Sequence, residues 1–595
     1  MNLIKHILLT LLISLWFNAV AQTHKAVPHM PVNGATTYKI GFLGNPGSWN
    51  MYQMITPVPW TTQIVQQLKQ LGFNTIQLNV AWGTRPNDEI LNLEDIVKLN
   101  PGQDKLFPQV VALRSKPGEE AFEQRRNELR KRISLCRKAG LRTIFHFGAP
   151  YNAHAKYGDT PPNCIMDPNV SKRYALLLQS FARDFPGVDD ILVYTYDQDA
   201  WLCSEFGSCP RCAGVPLHQR LVPFIDSLSA GWHKLSPKGR LWWEPWELSA
   251  GQVLTCVENI DPKAFGLALH CNIAEVMATL PVDTWLKNTV GIAHNRNIPV
   301  MVEYFLGSPS EELEPTYHVP YPLVTRRGLN AIAGLPGVKG IKEYYGLNPT
   351  CEDPNLRMTG IFFRNPAITE AAALQQLAKP YSKAAADVII MWKLTSEGME
   401  LFPWDLSWYL RRMGSRLPQH GLSAATLNGK MAHTPSWEST RTAIFMKTDN
   451  SRSDAWMLED VQLRYQLAAE RWAQALTIGK NCKNKIPKLL AADFKKALDD
   501  IAAMRRRALS SAYHLRETNI ALVLRTAMGT KKELPAKNIT ELKTIMQADL
   551  GNYREEMLAI HGNKDANAWQ EMQDAITLLD KDVSGFLNKY FTESN

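Results

Sequence analysis

Eight short apolar segments between residue 36 and about residue 347 constrain what this chain can fold into. Each segment is rich in β-branched or aromatic residues and is bounded by Gly, Pro or Asn, which is typical of a buried strand. The stretches between them have apolar residues at helical spacing, and several end in glycine. A strand followed by a helix that ends in glycine, repeated eight times, predicts a (β/α)8 TIM barrel. The segments are 37–44, 73–83, 141–150, 190–199, 240–249, 264–272, 299–307 and 338–346.

The pattern becomes wholly helical after about residue 365. Long amphipathic runs cover about 454–480, 489–528 and 536–592, and a Gly/Ser-containing loop is expected at 417–439. A chain of 595 residues is also longer than a single core usually supports. We therefore predict a barrel over 22–375 and an α-helical C-terminal domain over 376–595.

The N-terminal sequence "MNLIKHILLTLLISLWFNAVAQ" has a charged start, an apolar run and an A-x-A site at 19–21. This pattern predicts a signal peptide over 1–21 and an exported protein, periplasmic or extracellular, although an N-terminal membrane anchor is the alternative. No later segment has about 18 uninterrupted apolar residues, so no membrane span is expected in the mature chain. The net charge of +9 comes without basic runs interleaved with aromatics, so nucleic-acid binding is not expected.

In a TIM barrel, the reactive groups gather at the C-terminal ends of the strands. The corresponding ends of these eight segments carry acids and aromatic rings, which suits a carbohydrate substrate. Carboxylates hydrogen-bond sugar hydroxyls, rings stack on sugar faces, and two acids can cleave a glycosidic bond. Acids crowded together also raise one another's pKa, which provides a proton donor. The candidate residues are Asn79, Trp82, His146, Asp197, Asp199, Trp243, Glu244, Trp246, His270, Asn272, Glu303, Tyr304, Glu343 and Tyr344.

This layout resembles the superfamily of (β/α)8 glycoside hydrolases. In retaining members, an acid at the end of the fourth strand is the proton donor and a glutamate at the end of the seventh is the nucleophile. The resemblance implies Asp199 as general acid/base, Asp197 as its partner, and Glu303 of "VEYF" as nucleophile or second carboxylate. The other candidates would bind substrate. The chain carries Asp-Gln-Asp where many members have Asn-Glu, and its cysteines and helical tail are similar to those of exported bacterial barrel glycosidases.

Two other functions fit the same residues. Substrate-assisted N-acetylhexosaminidases place two neighbouring acids on the fourth strand, which Asp197 and Asp199 match in part, and Glu303 would then only bind. A carbohydrate-binding pseudoenzyme on the same barrel is the second alternative. The sequence has no phosphate loop, nucleotide fingerprint, G-x-S-x-G elbow or H-E-x-x-H motif. Kinases, dehydrogenases, serine hydrolases and common zinc proteases are therefore poor fits, and no cofactor is expected.

Three of the nine cysteines follow the acid pair closely, in the spacing C-x5-C-x2-C at Cys203, Cys209 and Cys212. Export permits disulfides, so we interpret these residues as a disulfide that shapes the rim loop, with no metal bound. The alternative is a zinc site, which needs a fourth ligand. Cys164, Cys271 or His270 could supply it through the fold.

Overall fold

The computed structural model contains a closed barrel of eight parallel strands, in the order β1 to β8, with β8 paired to β1. Every strand lies within one of the eight predicted segments, so the TIM barrel prediction is confirmed. The structure describes residues 38–43, 58–81, 90, 92–104, 119–152, 163–196, 200–245, 248–270, 282–307, 318–344, 346–403, 452–562 and 569–591. The strands are β1 Tyr38–Gly41, β2 Thr75–Gln77, β3 Arg142–Gly148, β4 Asp190–Tyr194, β5 Leu241–Glu244, β6 Phe265–His270, β7 Val300–Tyr304 and β8 Val338–Glu343.

Helices with well-capped N-termini connect the strands. The side chains of Thr61, Ser249 and Asp283 each accept a hydrogen bond from a main-chain amide in the first turn of their helix. A short 3-10 helix, Leu93–Asp95, also lies in this part of the chain. The helices are α1 Thr62–Gln70, α2 Pro101–Asp104, α3 Glu119–Lys138, α4 Pro168–Asp184, α5 Leu217–Leu235, α6 Ala250–Asn259, α7 Thr284–Asn295, α8 Pro322–Ala333 and α9 Pro354–Arg364.

The alternation of each strand decides which side chains enter the barrel. The interior core is built from Ile40, Ile144, Leu192, Trp242, Ala268 and Met301. The residues next to them along the strands point outward, into the apolar layer between barrel and helices. The residues two positions beyond these core positions therefore point inward again, at the C-terminal mouth of the barrel.

The C-terminal region is helical, as predicted, but the run expected over 536–592 is divided. Gly562 has a φ of 64° directly after the first of its helices, a conformation that favours glycine. Asp582 accepts a hydrogen bond from the amide of Gly585 and begins the last helix. The helices are α10 Glu370–Ala378, α11 Ala385–Leu401, α12 Arg452–Cys482, α13 Ala491–Gly529, α14 Ala536–His561, α15 Gln570–Lys581 and α16 Val583–Tyr590, and three 3-10 turns cover Lys379–Ala384, Lys483–Lys485 and Lys488–Leu490.

The helical region shares a hydrophobic core with the barrel. Val319 and Tyr321, which precede α8, are buried in one cluster with Trp392 of α11 and Trp472 of α12. A second cluster lies between α13, α14, α15 and α16. The predicted domain boundary at 375/376 falls inside α10, and the predicted loop over 417–439 lies outside the described residues. No helix in the described ranges has the length and apolar character needed to cross a membrane.

Candidate active site

Five polar side chains meet at the mouth of the barrel, and we call them the mouth cluster. They come from the C-terminal parts of five strands, β3, β5, β6, β7 and β8. Their inward direction follows from strand alternation: four of them stand two residues beyond an interior core position. All five are buried. The mouth cluster consists of His146, Glu244, His270, Glu303 and Lys342.

Glu244 lies between the two histidines. Its Oε2 is 3.0 Å from Nε2 of His146, and its Oε1 is 3.5 Å from Nε2 of His270. Nδ1 of His146 accepts a hydrogen bond of 3.2 Å from the amide of Ala81. Because that nitrogen is an acceptor, a neutral His146 carries its proton on Nε2, the nitrogen that lies 3.0 Å from the Glu244 carboxylate.

Glu303 lies between an imidazole and an ammonium group. Its Oε2 is 3.3 Å from Nδ1 of His270, and its Oε1 is 2.8 Å from Nζ of Lys342. One carboxyl oxygen of Glu303 also lies within 4.8 Å of one carboxyl oxygen of Glu244. His270 therefore contacts both carboxyl groups, one through each ring nitrogen, and orients them relative to one another.

Burial makes this pair of acids hold a proton. Burial is the largest cause that raises the pKa of Glu303, the charge of Glu244 also raises it, and the Lys342 ammonium opposes both, so that the pKa stands at about 8. Burial also raises the pKa of Glu244, while the charge of Lys342 and the neighbouring Glu303 carboxyl group lower it. At neutral pH the pair consequently shares one proton, and we place it on Glu303. One carboxyl group can then donate a proton while the other is ionised.

The same side chains could in principle coordinate a cation. One donor atom from each of Glu244, His270 and Glu303 lies within 4.8 Å of the others. However, the ammonium of Lys342 already contacts Glu303 at 2.8 Å and supplies a positive charge there. A second cation would be repelled by it, so the arrangement suits proton transfer better than metal binding.

Five of the predicted site residues come together at the mouth. Four of them belong to the mouth cluster: Glu303, Glu244, His146 and His270. The fifth, Tyr344, is buried with its ring edge-on to His270, at 5.1 Å between centroids and 87° between planes. Its ring also packs edge-on against Phe305. Tyr344 thus forms an aromatic wall beside the mouth cluster.

Two predicted stacking residues are packed elsewhere. Trp243 is fully buried in the apolar layer outside the strands, and its indole nitrogen donates to Oγ1 of Thr195 at 3.0 Å. Tyr304 is buried in the same layer, where its hydroxyl donates to the carbonyl of Val324 at 3.4 Å. Each is one residue away from an inward-facing glutamate. Strand alternation therefore turns both rings away from the mouth, and in this structure they are packing residues.

Asn79 and Glu343 bind main chain in the structure. The side-chain amide of Asn79 donates to the carbonyl of His146 at 2.7 Å and accepts from its amide at 2.9 Å. The carboxylate of Glu343 accepts from the amides of Leu306 at 2.8 Å and Gly346 at 3.2 Å. Asn79 joins the loop after β2 to β3, and Glu343 holds the loops after β7 and β8. We assign both a positioning role instead of substrate contact.

The remaining predicted residues lie outside the described ranges. Asp197 and Asp199, expected as general acid/base and partner, are among them. The same applies to three predicted substrate-binding residues. These are Trp82, Trp246 and Asn272.

Sequence reasoning missed Lys342 and Tyr194. Glu343 was the predicted site residue on this strand, and Lys342 is one residue before it. Adjacent strand residues face opposite sides, so the prediction selected the wrong face of the strand. Tyr194 of β4 packs its ring against His146 with centroids 5.4 Å apart and donates to the carbonyl of Ala81 at 3.0 Å. A lysine inside an apolar strand needs a carboxylate partner when buried, and that signal could have found Lys342.

The four cysteines near the mouth are free thiols in the structure. All eight described cysteines are unbonded, and the closest recorded sulfur pair, Cys164 and Cys212, is 3.3 Å apart. A disulfide bond is about 2.05 Å long. The described residues therefore do not contain the predicted disulfide among Cys203, Cys209 and Cys212.

The chain is similar to known proteins in its structure but not in its sequence. No protein-family model matches the chain, and no curated protein sequence is significantly similar to it. The solved structure of a GH138 enzyme targeting pectin rhamnogalacturonan II is similar over 92% of this chain and 70% of its own, with a TM-score of 0.60 and 12% identity. This likeness shows that the chain shares a (β/α)8 barrel fold with that enzyme. A GH5-4 broad-specificity endoglucanase from Clostridium longisporum matches 55% of this chain and 96% of its own, with a TM-score of 0.34 and 12% identity.

Proposed function

We propose that this protein is an exported glycoside hydrolase that cleaves glycosidic bonds in a polysaccharide or glycan with paired carboxylates. One observation carries the proposal: Glu244 and Glu303 lie together at the barrel mouth, and burial keeps a proton on the pair. Glycosidic bond cleavage needs one neutral carboxyl group to protonate the leaving oxygen and one carboxylate to act at the anomeric carbon.

The electrostatics divide these roles between the two residues. Glu303, whose pKa is raised to about 8, is the proton donor, and Lys342 and His270 hold its carboxyl group in place. Glu244 is the ionised group, because the Lys342 charge lowers its pKa and Nε2 of His146 lies 3.0 Å from its Oε2. This assignment reverses the role that the resemblance implied for Glu303.

The separation of the two groups favours retention of configuration. One carboxyl oxygen of Glu244 and one of Glu303 lie within 4.8 Å of one another, which is closer than inversion requires. Retaining enzymes hold their carboxyl groups about 5–5.5 Å apart, whereas inverting enzymes need about 6.5–9.5 Å to admit a water molecule. Glu244 would then attack the anomeric carbon directly. Asp197 and Asp199 stay predicted contributors from the fourth strand.

The test is hydrolysis of a panel of aryl glycosides, including uronides and acetamido sugars, together with fragments of rhamnogalacturonan II. The purified mature chain is compared with Glu303→Gln and Glu244→Gln. Each variant is expected to lose at least about a thousandfold in kcat/KM, as removal of a catalytic acid or base usually does. Glu258→Gln, an exposed carboxylate on α6, is the matched control and keeps full activity.

Two outcomes would contradict the proposal. If Glu303→Gln retains activity while Asp199→Asn is inactive on an acetamido sugar, substrate assistance by the Asp197/Asp199 pair replaces it. If no panel member is hydrolysed and sugar binding is unchanged in all variants, the barrel is a carbohydrate-binding pseudoenzyme.

A further inference from the structure

Four cysteine sulfurs converge beside the barrel mouth. Cys164 comes from the loop after β3, and Cys203, Cys209 and Cys212 come from the loop after β4. Sγ of Cys164 is 3.3 Å from Sγ of Cys212 and 3.8 Å from Sγ of Cys209, and all four sulfurs lie within 4.8 Å of one another. We call them the thiol cluster. All four are buried, and among the described residues they form a buried cluster of their own.

The loops around the thiol cluster turn tightly so that the sulfurs face one another. The amides of Cys212 and Ala213 both bond the carbonyl of Cys209, at 3.1 and 2.9 Å, which closes the C-x-x-C turn. The amide of Asp167 bonds the carbonyl of Cys164 at 2.8 Å in the facing loop. Two chain segments that are distant in sequence thus present their thiols to a common centre.

The spacing of the sulfurs matches a tetrahedral metal site. A Zn–S bond is about 2.3 Å, which places the sulfurs of a tetrahedral tetrathiolate about 3.8 Å apart. The recorded separations of 3.3 and 3.8 Å lie near that value. Cys164 is close to two partners at once, whereas a disulfide would select one partner and approach it to about 2.05 Å.

We propose that Cys164, Cys203, Cys209 and Cys212 bind one structural zinc ion as thiolates. Thiolate is a soft ligand that selects zinc over hard cations, and four protein ligands leave no open position for substrate, so the site is structural. Binding releases the four thiol protons and leaves a centre with a net charge of about −2. The inference does not depend on the proposed glycosidase activity.

A buried cation is placed to balance that charge. Arg220 of α5 is buried, and its guanidinium donates to the carbonyls of Cys203 at 2.7 Å and Val215 at 2.8 Å. At the surface, Nη2 of Arg211 is 3.4 Å from Oδ2 of Asp167, which bridges the same two loops. The buried positive charge of Arg220, bound to the main chain of Cys203, favours the anionic form of the site.

The zinc ion would join the two loops that frame one side of the barrel mouth. These loops are already linked by Asn152, whose side-chain amide donates to the carbonyls of Trp201 at 2.8 Å and Asn163 at 3.2 Å. The loop that carries Cys203 begins directly after the segment with Asp197 and Asp199. The metal would therefore anchor the chain a few residues after those two acids.

The test is the metal content of the full mature chain, purified without chelators and measured by elemental mass spectrometry. One zinc per chain is expected. Replacement of the metal by Co²⁺ should give the intense absorption bands of a tetrahedral thiolate site. The variants Cys164→Ser and Cys209→Ser should lose the zinc and show a lower Tm. Cys256→Ser and Cys482→Ser, which replace buried cysteines outside the thiol cluster, should keep it.

The zinc content and the Co²⁺ spectrum of the wild-type protein test the proposal even if the serine variants fail to fold. Peptide mapping without reduction reports whether the four sulfurs are bonded to each other. Zinc-free protein with disulfides among these cysteines would overturn the proposal, as would zinc-free protein with four titratable thiols or iron in place of zinc. The aryl glycoside panel is a separate measurement, so failure of one proposal does not affect the other.

Discussion

The carboxyl group of Glu303 shows how single residues set the chemistry at the barrel mouth. It is enclosed by protein, it contacts the ammonium of Lys342 at 2.8 Å, and it lies within 4.8 Å of a second buried acid, Glu244. Desolvation opposes its ionisation more strongly than Lys342 favours it, so its pKa is raised to about 8. An acid in this state can donate a proton at neutral pH.

The first prediction is the pH dependence of the reaction. Because Glu303 must be protonated to donate, kcat/KM should fall as the pH rises through about 8. The acid limb should lie above the usual range of a glutamate, because burial raises the pKa of Glu244 and that group must be ionised. A pH–rate profile on an active aryl glycoside measures both limbs. A rate that stays flat from pH 6 to pH 10 would contradict the assignment.

The second prediction concerns Lys342. Its charge lowers the pKa of Glu303, so Lys342→Met should move the basic limb to higher pH and reduce kcat by roughly ten- to a hundredfold through loss of positioning. Lys342→Arg should keep the limb closer to that of the wild type. The control is Lys339→Met, which removes an exposed lysine from the same strand. An unshifted limb in Lys342→Met would show that this ammonium does not act on Glu303.

The sequence predicts which strand ends carry polar residues, but it does not settle which of two adjacent residues on a strand faces the barrel mouth. Glu244, Glu303, His146 and His270 were found because an acid or histidine at the end of a strand is visible in the sequence. Glu343 was chosen over Lys342 because a shift of one position exchanges the two faces of a strand.

At the scale of secondary-structure elements, the contact between helices α13 and α14 contains two buried acids, in addition to those at the barrel mouth. Glu517 of α13 and Asp549 of α14 are both fully buried where these helices meet. Burial, followed by the charge of Asp549, raises the pKa of Glu517 well above the usual value. The folded state therefore binds a proton that the unfolded state releases above about pH 4.5.

The third prediction follows from that difference in proton binding. Since the folded-state pKa of Glu517 is raised, its stabilising contribution is present below about pH 4.5 and is lost as the pH rises. Glu517→Gln should therefore raise Tm over the wild type, with a gain at pH 8 at least about twice the gain at pH 5. Thermal unfolding at both pH values measures it. Glu555→Gln, an exposed acid on α14, should leave Tm unchanged at both, and an equal gain at the two pH values would contradict the argument.

Across the whole molecule, barrel and helices are joined through one hydrophobic core. Trp472 of α12 is fully buried, and its indole nitrogen donates to the carbonyl of Thr395 at 3.3 Å. The same core contains Val319 and Tyr321, which precede barrel helix α8. Because these residues share one set of contacts, the barrel and the first helices beyond it are expected to unfold as one unit.

The fourth prediction tests this coupling. Trp472→Ala should destabilise the protein by about 3–5 kcal/mol, as removal of a large buried aromatic usually does. The unfolding transition should remain single. The barrel and the helical region should both unfold at one denaturant concentration, and this concentration should be lower than in the wild type. Leu489→Ala, which replaces a side chain that is 91% exposed, should have no effect. Two separate transitions in Trp472→Ala would show that the barrel folds independently.

The sequence by itself determined the class of fold, the eight strands, the helical C-terminal region and the presence of acids at the strand ends. These follow from periodicity and composition, which are local properties of the chain. Only the tertiary structure decided which acids meet, that Lys342 and His270 hold Glu303, and that Cys164 joins the three cysteines after β4. Those contacts depend on the phase of each strand and on loops brought together by barrel closure, and neither is encoded by the spacing of residues along one segment.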